Sequence, residues 1–108
     1  MPLDEITPRA LKAMLDGGAP VYLLDVRQPW EHELVALADR ALIPLDQLAA
    51  RVGEVKPAAG ELVVTYCHHG VRSLHAAAIL LEAGVRAASL KGGIDAWSAL
   101  IDPTLRRY

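Results

Sequence analysis

The chain has 108 residues, 53% of them apolar, with one cysteine, no phenylalanine, a formal net charge of −2 and a pI near 6.0. That size fits a single domain over residues 1–108 with an aliphatic core, and neither a basic surplus nor a Lys/Arg-rich block is present to hold a nucleic-acid backbone. One cysteine excludes an intrachain disulfide, Asp4-Glu5 is acidic where a signal peptide is basic, and the longest strongly apolar run, residues 76–81, is too short to cross a bilayer, so a cytoplasmic protein without membrane association is expected.

Thr7-Pro8 starts a helix, because threonine caps well and proline suits the first helical position. Leu11, Met14 and Leu15 then share a face until Gly17-Gly18 ends it. Val21-Tyr22-Leu23-Leu24-Asp25-Val26 is a compact apolar run, read as a buried strand that delivers Asp25 to a sheet edge where sites tend to lie. A carboxylate there more often holds a loop or Arg27 in place than performs chemistry. Residues 27–33 are polar, break at Pro29 and fit a short helical turn packed by Trp30; His32 has no evident partner. Ala41-Leu42-Ile43 reads as a short strand, after which Leu45, Leu48, Val52 and Val55 keep helical spacing until Gly53, Pro57 and Gly60 interrupt it.

Leu62 to Tyr66 is apolar and β-branched enough for a central parallel strand, and it runs directly into Cys67-His68-His69-Gly70-Val71-Arg72-Ser73. Leu74 to Glu82 is apolar on nearly every side and predicts a well-buried helix stopped at Gly84. Ala87-Ala88-Ser89-Leu90 is a further strand. Lys91-Gly92-Gly93 turns into a last helix with Ile94, Trp97 and Leu100 on one face, ended by Pro103. Alternating strands and helices predict an α/β fold: a small open parallel sheet of about five strands with helices on both faces.

An arbitrary lone cysteine is usually a small buried residue. Cys67 differs in three respects. It sits at a strand-to-helix turn, Gly70 can take a left-handed conformation close by, and Arg72 brings a full positive charge. Loop amides and the positive end of a helix favour a thiolate, the reactive form of cysteine. His68 and His69 invite a metal reading with Cys67 and His75, but adjacent residues on a tight loop rarely aim at one ion, so no metal and no cofactor are expected. A Cys-His protease lacks a distant histidine with an orienting Asn or Asp.

Cys67-His68-His69-Gly70-Val71-Arg72-Ser73 resembles the active-site loop of rhodanese-type sulfurtransferases. Leu24-Asp25-Val26-Arg27-Gln28-Pro29-Trp30-Glu31 is similar to their first signature, and Leu90-Lys91-Gly92-Gly93-Ile94-Asp95-Ala96-Trp97 to their last. The three matches come in the family's order and span most of the chain. The resemblance implies a small α/β domain in which Cys67 takes the outer sulfur of thiosulfate or a persulfide donor, becomes a persulfide, and passes the sulfur to a thiol, cyanide, thioredoxin or a sulfur-carrier protein. It implies that the amides of His68, His69, Gly70, Val71, Arg72 and Ser73 cradle the anionic sulfur, that Arg72 orients a sulfonate and holds the loop closed, unless it forms a purely structural salt bridge, and that Asp25 and Arg27 brace the loop.

Related cell-cycle phosphatases place five residues between nucleophile and arginine. Only His68, His69, Gly70 and Val71 intervene here, which favours sulfur over phosphate. A binding module that keeps the fold and docks a partner on the loop rim is the alternative from another class. The family's Gly- and Pro-containing turn before Ile43-Pro44-Leu45 is replaced by Leu37-Ala38-Asp39-Arg40-Ala41, and residues 101–108 are similar to tails of rhodanese domains fused to adenylating enzymes that load sulfur-carrier proteins.

Overall fold

The computed structural model describes residues 4–108. In chain order they form β1 (Glu5–Ile6), α1 (Pro8–Asp16), β2 (Val21–Asp25), α2 (Pro29–Leu34), β3 (Ala41–Leu42), α3 (Leu45–Arg51), β4 (Leu62–Tyr66), α4 (Val71–Glu82), β5 (Ala87–Leu90) and α5 (Gly93–Leu100). A 3-10 turn at Val52–Glu54 extends α3, where the spacing of Val52 and Val55 had predicted continuous helix. Thr7 Oγ1 accepts from the Ala10 backbone 3.1 Å away and caps α1 as expected. No helix among the described residues is long and apolar enough to cross a membrane.

The five strands are ordered β1-β5-β4-β2-β3 and every pair is parallel, which is the predicted fold class. The strand with no sequence signal is β1: two residues long, it joins only the β5 edge, through Glu5 opposite Ser89 and Ile6 opposite Leu90. β4 lies in the centre, and the period-two alternation of a strand sends its side chains to two cores. On one face Leu23, Val64, Tyr66 and Leu90 pack with Leu11 of α1 and with Ile94 and Trp97 of α5. On the other, Tyr22, Leu24, Val63 and Cys67 pack with Leu48 of α3 and with Ala76, Ala77 and Leu80 of α4. Ala76, Ala77 and Ala87 are at most 1% exposed. Small side chains at that contact let α4 lie close on the sheet, which is the use the fold makes of an alanine-rich, phenylalanine-free composition.

From β2 the chain moves outward to β3, returns to the centre at β4, and then moves the opposite way to β5. The reversal between β2 and β4 is a topological switch point, and in open parallel sheets it opens a crevice at the carboxyl ends of the strands. Asp25, Cys67 and the Lys91-Gly92-Gly93 turn all emerge at that end.

Candidate active site

Cys67 follows β4 directly and is 1% exposed. Gly70 takes the left-handed conformation (φ +97°) that reverses the chain, and α4 begins at Val71, three residues before the predicted Leu74, so that the helix starts inside the loop. The reversal aims backbone donors inward: Gly70 N–H donates to Cys67 Sγ at 3.1 Å and Ser73 N–H at 3.4 Å. Ser73 Oγ lies 3.5 Å from the sulfur and 2.7 Å from Ser89 Oγ of β5, while Thr65 Oγ1 donates to the Ser73 carbonyl at 2.8 Å. Ser73, Ser89 and Thr65 are fully buried. A sulfur at this point faces two amides and the first turn of a twelve-residue helix, an arrangement suited to negative charge.

The loop is held from behind by α5. Ile94 N–H donates to the Cys67 carbonyl at 2.9 Å and Asp95 N–H to the His68 carbonyl at 3.1 Å. The close approach requires glycine, because a Cβ on Gly93 (φ +65°) would stand 2.4 Å from His68 O and 2.5 Å from Cys67 O. This accounts for the Gly92-Gly93 pair in the third quoted signature.

Arg72 grips Glu31, with Nη1 2.6 Å from Oε1 and Nη2 2.9 Å from Oε2. Of the two readings the sequence allows for Arg72, this pose is that of a salt bridge closing the loop against α2. Glu31 also accepts from the Tyr108 hydroxyl (2.6 Å) and the Gln28 backbone (3.0 Å). Burial acts to raise its pKa, but the bonds from Arg72, Tyr108 and Gln28 prevail and hold it at about 2. The Arg72 guanidinium is shifted up, chiefly by its bond to Glu31. Burial first, and then the bond to Glu31, push Tyr108 up to about 12.

Asp25 and Arg27 are both fully buried. The guanidinium meets Asp25 through two parallel bonds of 2.9 and 2.8 Å, then reaches Tyr108 Oη at 3.0 Å and the Val35 carbonyl at 2.6 Å. The pair therefore ties the end of β2 to the segment after α2 and, through Tyr108, to Glu31 and Arg72. His32, for which the sequence suggests no partner, is in fact part of this cluster: its Nδ1 lies 2.9 Å from Asp25 Oδ2 and 3.5 Å from Asp39 Oδ2. The partners are seven residues away on each side, across a turn, a distance that spacing alone does not resolve.

His68 is sandwiched between His69 and Tyr108, with ring centroids 3.8 Å apart on both sides, and burial followed by the neighbouring His69 lowers its pKa. His69 and Val71 are exposed. Among the described residues, two groups of potential ligands have atoms within 4.8 Å of one another: His68, His69 and Asp95, and Asp25, His32 and Asp39. Neither contains Cys67 or His75. Asp95 in the first group already faces Arg107 (3.0 and 3.1 Å) and Asp25 in the second already faces Arg27, which lowers the attraction of these two carboxylates for a cation. Sequence reasoning missed Ser89 and Tyr108 as neighbours of the loop, and passed over Glu31 although it stands within the first quoted signature.

Residues 7–100 match the family described as the rhodanese-like domain. The chain is 38% identical over 104 residues to the probable adenylyltransferase/sulfurtransferase MoeZ of Mycobacterium tuberculosis, covering 95% of this chain and 26% of that protein. It thus spans about a quarter of that relative's length. It is 33% identical over 97 residues to a sulfurtransferase of Allochromatium vinosum, with 89% of each covered. The crystal structure of thiosulfate sulfurtransferase from Pseudomonas aeruginosa is similar with a TM-score of 0.83 at 25% identity, over 97% of this chain and 20% of that one. A match over that span, on a five-stranded parallel sheet whose central strand ends in the Cys67 loop, makes this chain a member of the rhodanese-like domain family.

Proposed function

We propose that the protein is a sulfurtransferase that carries sulfane sulfur as a persulfide on Cys67. The observation that supports this most is the convergence of the Gly70 and Ser73 amides on Sγ in a loop with four residues between Cys67 and Arg72. In the first half-reaction the Cys67 thiolate attacks the outer sulfur of the donor. With thiosulfate, the S–S bond of the donor breaks, sulfite leaves with the electron pair, and Cys67–S–S⁻ remains. In the second, a nucleophile such as a thiolate or cyanide attacks the outer sulfur and Cys67 departs as thiolate. Charge stays on sulfur throughout, so fixed donors contribute more than a proton shuttle, and the scheme needs no metal or cofactor. Gly70, Ser73 and the amides of the His68 to Arg72 stretch would cradle the anion. Arg72 would hold the loop closed through Glu31, and Asp25 and Arg27 would brace the wall behind it. His68 and His69 would shape access to the sulfur.

The likeness to MoeZ, an adenylyltransferase/sulfurtransferase by name, supports a protein acceptor of the sulfur-carrier kind in addition to small thiols. Intact-mass measurement after incubation with thiosulfate or an organic persulfide tests the proposal. Wild type gains one sulfur atom that a thiol acceptor then removes, and Cys67→Ser gains none. Failure of wild type to take sulfur from either donor would overturn the proposal, and a partner pulled down equally well by Cys67→Ser would instead favour a docking role.

A further inference from the structure

In thiosulfate the transferable sulfur is attached to a sulfonate, and the whole carries two negative charges; a loop that selects it needs a cation free to meet that head. Arg72 is the residue positioned by sequence to supply one, and both of its terminal nitrogens are spent on Glu31, whose side chain is only 4% exposed. Tyr108 and the Gln28 backbone saturate the remaining acceptor sites of the same carboxylate, so the pair is anchored from the Glu31 side. Arg27 offers no substitute, being fully buried and committed to Asp25. Beside this neutral pair stands an aromatic wall. Trp30, 59% exposed, meets the Tyr108 ring edge-on at 6.0 Å, and Tyr108 stacks on His68, the residue after Cys67.

We propose that Glu31 is a specificity-determining residue: by cancelling the charge of Arg72 beside the Trp30-Tyr108-His68 wall, it biases the site toward organic persulfides and against dianionic thiosulfate. The inference rests on Cys67 being the sulfur-accepting residue. With an organic persulfide the Cys67 thiolate attacks the outer sulfur of R–S–S⁻, that S–S bond breaks, RS⁻ leaves, and Cys67–S–S⁻ forms. One S–S bond replaces another, with no net oxidation and no further reactant. The leaving end is then an alkyl or aryl group that an aromatic wall accommodates, where a sulfonate would have to be desolvated beside a compensated arginine.

The test is the ratio of KM for thiosulfate to KM for benzyl persulfide. In Glu31→Gln the amide still accepts from Gln28 N–H but no longer neutralises Arg72, so the ratio falls about fivefold, the scale of one partly solvated charge contact. In an Arg72→Met background the same change must not alter the ratio. Glu31→Asp keeps the charge but is too short to meet both guanidinium nitrogens, so it moves the ratio the same way by less and serves if the glutamine variant does not fold. Tyr108→Phe keeps the ring of the wall and the Arg72–Glu31 ion pair and removes only the hydroxyl bond to Glu31, and must not move the ratio. An unchanged ratio in Glu31→Gln, parallel changes for both donors, or an equal shift in Tyr108→Phe would each overturn the inference. Absence of sulfur uptake by wild type from both donors would overturn the proposed function itself, which separates the two failures.

Discussion

The two junctions where a central strand turns into a helix use the same device for opposite ends. At the end of β4 the chain reverses at Gly70, and the N–H groups of the new turn, from Gly70 and Ser73, are left facing a side-chain sulfur. At the end of β5 it reverses at Gly92 and Gly93, and the N–H groups of Ile94 and Asp95 are consumed by the carbonyls of Cys67 and His68. The first helix terminus is thereby available to an anion, and the second fixes the backbone that makes it so. An anion cradle built from backbone donors costs little only if those donors are already oriented, and the proposed cradle would take its orientation from the neighbouring junction rather than from the loop itself.

Glycine substitutions separate the two roles. Gly93→Ala carries the largest expected effect, since its Cβ would overlap two carbonyl oxygens and no flexible side chain can give way. A loss of about 4 kcal/mol or more is expected, read as the urea midpoint, with sulfur uptake lost alongside. Gly70→Ala combines φ +97° with a Cβ 2.9 Å from Gly92 N. It should lose about 2 kcal/mol, and its sulfur uptake should fall further than its stability does, because the displaced N–H is one of the donors to Sγ. If Gly70→Ala loses stability yet accepts sulfur as well as wild type, the division of labour between the junctions is wrong. Gly84→Ala has a similar φ of +84° but open space around it, so it should cost about 1 kcal/mol and leave sulfur uptake alone.

The smallest effect is a pH dependence. The folded-state pKa of Glu31 is depressed from 4.5 to about 2, so its pairing with Arg72 and Tyr108 contributes stability that is fully present above pH 4.5 and is lost as pH falls toward 2. Urea unfolding across that window should show wild type losing its advantage over Glu31→Gln as the pH drops. A constant difference between the two proteins would show that the carboxylate charge does not hold the loop wall.

Much of the architecture was legible in the residues. Val21–Asp25, Leu62–Tyr66 and Ala87–Leu90 announce themselves as short apolar runs because parallel strands buried on both faces cannot alternate with polar residues. Thr7-Pro8 and Gly17 delimit α1 because caps are local chemistry. β1 was not legible: Glu5–Ile6 has no pattern of its own and is a strand only because the β5 edge is there to pair with it. α4 starts three residues before the Leu74 that the pattern predicts, for a related reason. His69, Gly70 and Val71 read as a loop, whereas the left-handed turn at Gly70 lets the helix begin at once.

By itself the sequence determined the fold class, the position of Cys67 at a strand-to-helix turn and the short gap to Arg72, all of which depend on neighbours within a few residues. Only the tertiary structure decided what Arg72 does. Its partner Glu31 lies 41 residues earlier, and Tyr108, which shares that carboxylate, lies 77 residues beyond Glu31. A guanidinium ion pairs with whichever buried carboxylate the fold brings within reach, and that depends on the whole sheet. The same holds for His32 and Asp25, and for the Gly93 contact that holds the loop. Local chemistry can be read along the chain because its range is a helical turn or less; the charge balance around the sulfur is set by contacts between segments that meet only after the β2, β4 and β5 crossovers have closed.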